Sequence, residues 1–218
     1  MIVGSNPAEV KSHRVAHPAS AHAVHSGIIS QFFALIRRYR SSMKSEFKLT
    51  RLAGLNLTAR PSAIIGSLAL WIVLSGIALA LIKLSVGEAI FGGLIATLLH
   101  WTSETLHQFG HAQAARQAGY LMIGIRYWGV LSTSVYPDDE PALPASIHIR
   151  RALGGPSVSI VVGILIGLLA LALRDSAGLL KWLALFAALE NLLVFGLGAF
   201  LPLGFTDGST LLRYWSKH

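Results

Sequence analysis

Residues 106–119, "LHQFGHAQAARQAG", carry two histidines, His107 and His111, four positions apart in a long apolar stretch. On a helix that spacing projects both imidazoles from one face, where they can grip one metal ion. His100 and Glu104 precede them at steps of four and three, so the four polar side chains form one stripe. Spacing alone has little weight, because His13 and His17 repeat it in the polar N-terminus. Context separates the two pairs. An ionisable cluster inside a membrane helix is costly and is a functional site by default. The structural alternative is a set of interhelical hydrogen bonds that glue a bundle, and for His100 that is the better reading.

The rest of the chain supplies the membrane context. Of 218 residues, 53% are hydrophobic and 13% are charged, about half the ~25% charge of globular chains. No charge lies between Pro61 and Lys83 or between Arg151 and Arg174. Two further runs, Ala89–Ala115 and Trp182–Thr206, contain only Glu104 and Glu190. Each run reaches the ~20 residues that cross a bilayer as a helix. The expected fold is an all-α polytopic membrane protein: about four transmembrane helices with a small membrane-associated β element.

Charge sets the expected orientation. Residues 1–60 hold nine Lys/Arg against Glu9 and Glu46, which keeps that segment cytoplasmic, and four spans return the C-terminus to the same side. The Arg116–Arg151 loop faces the cytoplasm too. The expected localisation is multi-pass in the cell membrane. The net charge of +8 then reads as topology and attraction to the lipid bilayer, with no nucleic-acid partner expected. The absence of cysteine excludes disulfides and thiolate metal sites. No cleavable signal peptide is visible, since an early apolar core is missing.

Two regions are expected. Residues 1–46 read as a basic, partly disordered cytoplasmic segment, in which "GIISQFFALIRRYR" has the pattern of an amphipathic helix. Residues 47–218 read as the membrane core. "FKLTRLAGLNLTAR" predicts a short strand or hairpin, and "YLMIGIRYWGVLSTSVYPDDEPALPASIHIR" two strands joined by a loop. The spans are expected over Ser62–Ile82, from Glu88 to Gln117, from "RRALGGP" to Leu173, and up to "FLPLGFTDGS". In that last segment Pro202, Gly204 and Gly208 should break the helix at membrane depth, which is tolerated only beside a protected or wet cavity. A catalytic zinc takes about three protein ligands plus water. Asp207, just after the break, is the candidate third ligand; its alternative role is an N-cap for "STLLRYWSKH".

These motifs resemble the site-2 proteases, intramembrane zinc metalloproteases. "HQFGHAQAARQAGY" is similar to the family's HExGHxxAAxxxG stretch, "LGGPSVSI" to the Gly-Pro opening of its next span, and "FLPLGFTDGSTLLR" to its Pro-to-Asp-Gly segment. "FKLTRLAGLNLTARPS" resembles the strand leading into its first core helix, and the likeness covers about residues 47–215. It implies zinc on His107, His111 and Asp207, and hydrolysis of peptide bonds in a transmembrane protein substrate. The strands within 120–147 could then pair with an unwound substrate.

Two positions depart from the pattern. Gln108 stands where the family has the Glu that activates water, and Ala199 where it has an Asn. Gln can hydrogen-bond but cannot accept a proton near neutral pH. Gln108 therefore reads three ways: a natural pseudoprotease that binds a transmembrane client without cutting it, an engineered inactive variant, or an enzyme using another base. Glu104, on the metal face one turn earlier, is the candidate alternative base, acting through a bridging water. On a regular helix Glu190 would lie ~25 Å from Asp207, too far to serve.

Overall fold

The computed structural model describes residues 46–175 and 178–216. The N-terminal amphipathic stretch and the His13–His17 pair lie outside the described residues. From Phe47 the chain forms an antiparallel hairpin, β1 (Phe47–Leu52) and β2 (Leu55–Ala59), matching the alternation of its sequence. Helix α1 (Pro61–Ala80) opens on proline, whose missing N–H has no helical partner at that position anyway. Helix α2 (Val86–Gln117) starts at a capping box in which Ser85 and Glu88 satisfy each other's backbone N–H. Its 32 residues extend about 48 Å at ~1.5 Å each.

The α1–α2 crossover returns the chain to the sheet. β3 (Gly124–Trp128) pairs in parallel with β2, and β4 (Leu131–Val135) antiparallel with β3. The strand order β1-β2-β3-β4 leaves β4 at an edge. Both strands precede the Pro/Asp cluster, and their connection is shorter than the loop expected. It is a tight turn at Gly129–Val130, with Gly129 at φ +55°. "PDDEPALP" follows β4 as an irregular connection instead, because its prolines cannot donate to a ladder.

Helix α3 (Ala145–Ala172) begins at Ala145, ahead of the Arg150 start read from the sequence, directly after Pro144. The final apolar segment is not one regular helix. Helix α4 (Leu179–Leu189) passes into a π-helical segment, Glu190–Leu197, and a 3₁₀ turn, Gly198–Phe200. The chain then breaks through extended Leu201, Pro202 and Gly204 before α5 (Asp207–Trp215). The 25 Å expectation for Glu190 assumed a regular helix and does not apply to this segment.

Among the described residues, three helices are long and apolar enough to cross a membrane: Pro61–Ala80, Ala145–Ala172 and Leu179–Phe200. Their outward faces carry exposed Ile64, Leu68 and Ile72, Val161, Leu165 and Leu168, and Leu189, Leu193 and Leu197. Apolar side chains outside and polar ones inside are what a lipid solvent selects. α2 is longer than any of the three, but it carries the polar stripe inward: His100, Glu104, His107 and His111 are all buried. One face of the sheet supplies the apolar floor, with Leu55, Leu57, Ala59, Ile125 and Tyr127 packed on Ala63, Ala115 and Met122.

Close backbone contact fixes how α2 meets α3. A Cβ at Gly110 would collide with the Gly154 carbonyl, and one at Gly154 with the Gly110 carbonyl. Small residues permit such approach without a gap between helices. Gly110 lies between His107 and His111, so this contact sets what lies beneath the two imidazoles.

Candidate metal centre

His107 and His111 project together from α2, and Asp207 reaches them from the first turn of α5. Nε2 of His107 lies 3.0 Å from Nε2 of His111. The Asp207 carboxylate places Oδ2 3.3 Å from His107 Nε2 and Oδ1 3.4 Å from His111 Nε2. The N-cap of α5 is Thr206, and Asp207 is its first helical residue. The carboxylate is therefore directed at the histidines and does not cap the helix.

The outer ring nitrogens decide what the inner ones can do. His111 Nδ1 is 2.7 Å from the Arg151 carbonyl, which can only accept, so the proton sits on Nδ1. The Gly155 N–H, 3.3 Å from the same nitrogen, is the longer contact and cannot be a second bond to a protonated Nδ1. His107 Nδ1 is 3.0 Å from Ser159 Oγ, a hydroxyl that can accept its proton or donate to it. His111 Nε2 then presents a lone pair, and both Nε2 atoms face each other and the Asp207 carboxylate. With the ring protons on the outer nitrogens, the two Nε2 lone pairs and the carboxylate are three acceptors meeting at one point, an arrangement that a cation binds.

The residues fit such a cation. Donors at the ~2.0–2.1 Å bond lengths of tetrahedral zinc stand about 3.3 Å apart, close to the 3.0–3.4 Å found here. His, His and Asp are zinc-type donors, and their ligand atoms all lie within 4.8 Å of one another. Gly155 completes the cradle. A Cβ there would collide with Nε2 of both histidines, so only glycine leaves the space open.

β4 faces the same stripe of α2. Ser134 Oγ donates to Gln108 Oε1 at 2.6 Å, and Ser132 Oγ donates to Glu104. Gln108 spends its acceptor on Ser134, which leaves its amide hydrogens for a guest. A cavity of about 690 Å³ opens onto Glu104, His107, Gln108, His111 and Asp207, and is lined as well by Ser132, Ser134, Tyr136 and Glu140. The π-helical segment contributes Phe195, whose ring centroid is 5.9 Å from that of His107. Ala199 also lines the cavity, with no polar atom to offer it.

Compared by sequence, no family model and no curated protein matches the chain. Among solved structures, it matches the site-2 protease from Methanocaldococcus jannaschii with a TM-score of 0.55 and 19% identity, over 78% of this chain and 70% of that one. The fold is that of a site-2 protease. With three apolar helices of crossing length, the site-2 protease fold makes this a multi-pass membrane protein.

The structure thus brings His107, His111 and Asp207 together and sets Glu104 and Gln108 on the same cavity. His100 and Glu190 form a separate buried pair about two turns away, with His100 Nδ1 2.7 Å from Glu190 Oε1 and Nε2 2.9 Å from the Val130 carbonyl. Sequence reasoning missed Ser159, the Arg151 carbonyl, Gly155, and Ser132 with Ser134. Ser159 had a signal of a kind: a small polar residue one turn past Pro156 in a charge-free run. The alternating "LSTSV" of β4 was the signal for the two serines, since one face of an edge strand carries both.

Proposed function

We propose that this chain is an intramembrane zinc metallopeptidase of the site-2 protease type, acting on membrane-embedded polypeptide, with its proton-transfer step weakened by Gln108. The observation carrying this reading is the convergence of two Nε2 atoms and a carboxylate at 3.0–3.4 Å from one another. His107, His111 and Asp207 would hold the zinc. Zinc bound there supplies Lewis-acid polarisation of water and of the scissile carbonyl.

The chain's own residues do the rest. The free outer edge of β4 can add an extended guest strand, with main-chain hydrogen bonds giving affinity. That needs an unwound substrate, because a helix has already spent its backbone groups. The Gln108 amide can donate to a peptide carbonyl but cannot take a proton. Glu104, whose carboxylate is oriented by Ser132, is the group that can accept one, through a bridging water. A further part of the reading is topological: α2 counts as the fourth span, and the basic residues keep both termini and the Tyr120–Ile149 segment cytoplasmic.

Gln108 and Ala199 together favour one second reading, a pseudoprotease that holds a transmembrane client without cutting it. Zinc content of the purified protein, paired with cleavage of a transmembrane model substrate, separates the two. Zinc with cleavage supports the peptidase, and Glu104→Gln should then abolish turnover. Zinc without cleavage supports the pseudoprotease, and a chain without zinc fits neither.

A further inference from the structure

Arg151 has two unrelated attachments. Its carbonyl fixes the tautomer of His111. Its side chain, only 6% exposed, reaches the other way into the loop beside the cavity. Nη1 donates to Glu140 Oε2 at 2.9 Å and Nη2 to Oε1 at 2.5 Å, the bidentate pairing that suits a planar guanidinium. Nη2 also donates to the Tyr120 carbonyl at 2.8 Å, and the guanidinium stacks 4.0 Å from the Tyr136 ring centroid. One residue therefore clamps the end of α2, the segment after β4 and the first turns of α3.

Glu140 and Tyr136 line the same cavity as the two histidines. From this geometry we infer that Arg151 is a positioning residue that couples the guest-facing loop to the metal centre. The inference rests on His107, His111 and Asp207 being a metal site. The position of the Arg151 carbonyl sets the orientation of His111, and the Glu140–Arg151 fork sets the position of that carbonyl. Partners that orient a ligating histidine typically change metal affinity by ~10–100-fold when lost. Glu140 acts one link further out, so its effect belongs near the lower bound. The coupling also runs backwards: a peptide that displaces Glu140 from Arg151 would loosen the metal, and one that packs on Tyr136 would tighten it.

The test uses the full chain in detergent with cobalt(II) in place of zinc, read by its visible absorption and by competition with a chelator. The variants are Glu140→Gln, Arg151→Lys and, as a control, exposed Arg150→Gln. The inference expects Glu140→Gln and Arg151→Lys to shift the cobalt bands and weaken binding about tenfold, with Arg150→Gln matching the parent. Glu140→Asp should restore most of the affinity by restoring the charge. A fold defect alone would lower the melting temperature without moving the bands of the protein that remains folded. Should Arg151→Lys fail to fold, Glu140→Gln, a partly exposed loop residue, decides alone. Bands and affinity equal to the parent in Glu140→Gln overturn the inference while leaving the metal site standing. A parent chain that takes up no cobalt overturns the metal reading itself.

Discussion

Two histidine clusters lie on the same face of α2, barely two turns apart, and they end in opposite states. At His100 both ring nitrogens are used, one on Glu190 and one on the Val130 carbonyl, and the ring packs against Trp101 and Phe195. At His107 and His111 the outer nitrogens meet Ser159 and the Arg151 carbonyl, and the inner ones converge on each other and on Asp207. Burial is the same: all three imidazoles are buried. What separates bundle glue from a binding centre is whether the ring nitrogens end on separate partners or converge on one point. His100 ties the tip of the β3–β4 hairpin to the π-helical segment, whereas His107 and His111 turn their inner nitrogens to one point beside Asp207.

That contrast can be broken by exchanging losses. His107→Ala or Asp207→Ala should abolish zinc binding and barely move the melting temperature of the zinc-free protein. His100→Ala should do the reverse, retaining zinc while losing about 3–5 kcal/mol of stability, because Glu190 is left buried without its partner. Zinc content and thermal unfolding in detergent read both effects, and zinc loss in His100→Ala would erase the distinction. Next in size is the proton acceptor. Gln108→Glu should raise cleavage of a transmembrane substrate by ~10²–10⁴-fold, the usual yield of a general base. If the Asn missing at Ala199 matters equally, Gln108→Glu with Ala199→Asn is the variant that shows the gain. A double variant that binds zinc and cuts nothing would favour the pseudoprotease.

Smaller effects sharpen the picture. Ser159→Ala removes only the acceptor behind His107, so zinc affinity should fall by ~10–100-fold with the fold intact; chelator competition would reveal an unchanged affinity if Ser159 merely packs. On the outer face of the sheet, Glu46 contacts Arg126 at 2.5 Å and Arg60 at 3.3 Å. Partial burial works against its ionisation, but the two arginines prevail and hold its carboxyl below the usual value. A carboxyl depressed in the folded state stabilises above its unfolded pKa of about 4.3, and that contribution fades as pH falls through the lower folded value. Glu46→Gln should therefore cost no more than ~1 kcal/mol at neutral pH and nothing in strong acid. Melting curves at the two pH values would expose a larger role.

The parts of this centre legible in the sequence are those that one element encodes by itself. The His107–His111 spacing needs only a helix, and the Pro202–Gly204 break needs only its own backbone restrictions. Asp207 was legible because an acidic residue after an apolar, broken segment is unusual. Ser159 and Gly155 acquire their roles only when Gly110 and Gly154 let α2 and α3 touch, which no local pattern states. The Arg151 carbonyl has no sequence signature, since every residue carries one. The same holds for the π-helical segment: "ENLLVFGL" has ordinary helical composition, and its wide turns follow from seating Glu190, Asn191 and Phe195 inward. The two-residue turn at Gly129 was hidden by the louder Pro/Asp cluster downstream.

The central claim is that buried lone pairs on His107 and His111, with Asp207, make a cation site, and one measurement addresses it directly. Zinc content per chain should be determined by elemental analysis for the purified parent and for Asp207→Asn, a nearly isosteric change that removes only the carboxylate charge. The account predicts about one zinc per parent chain, as expected of a three-ligand site, and a large fall in Asp207→Asn with retained helical content. A parent without zinc after metal-replete preparation, or an Asp207→Asn variant that keeps its full complement, would contradict it.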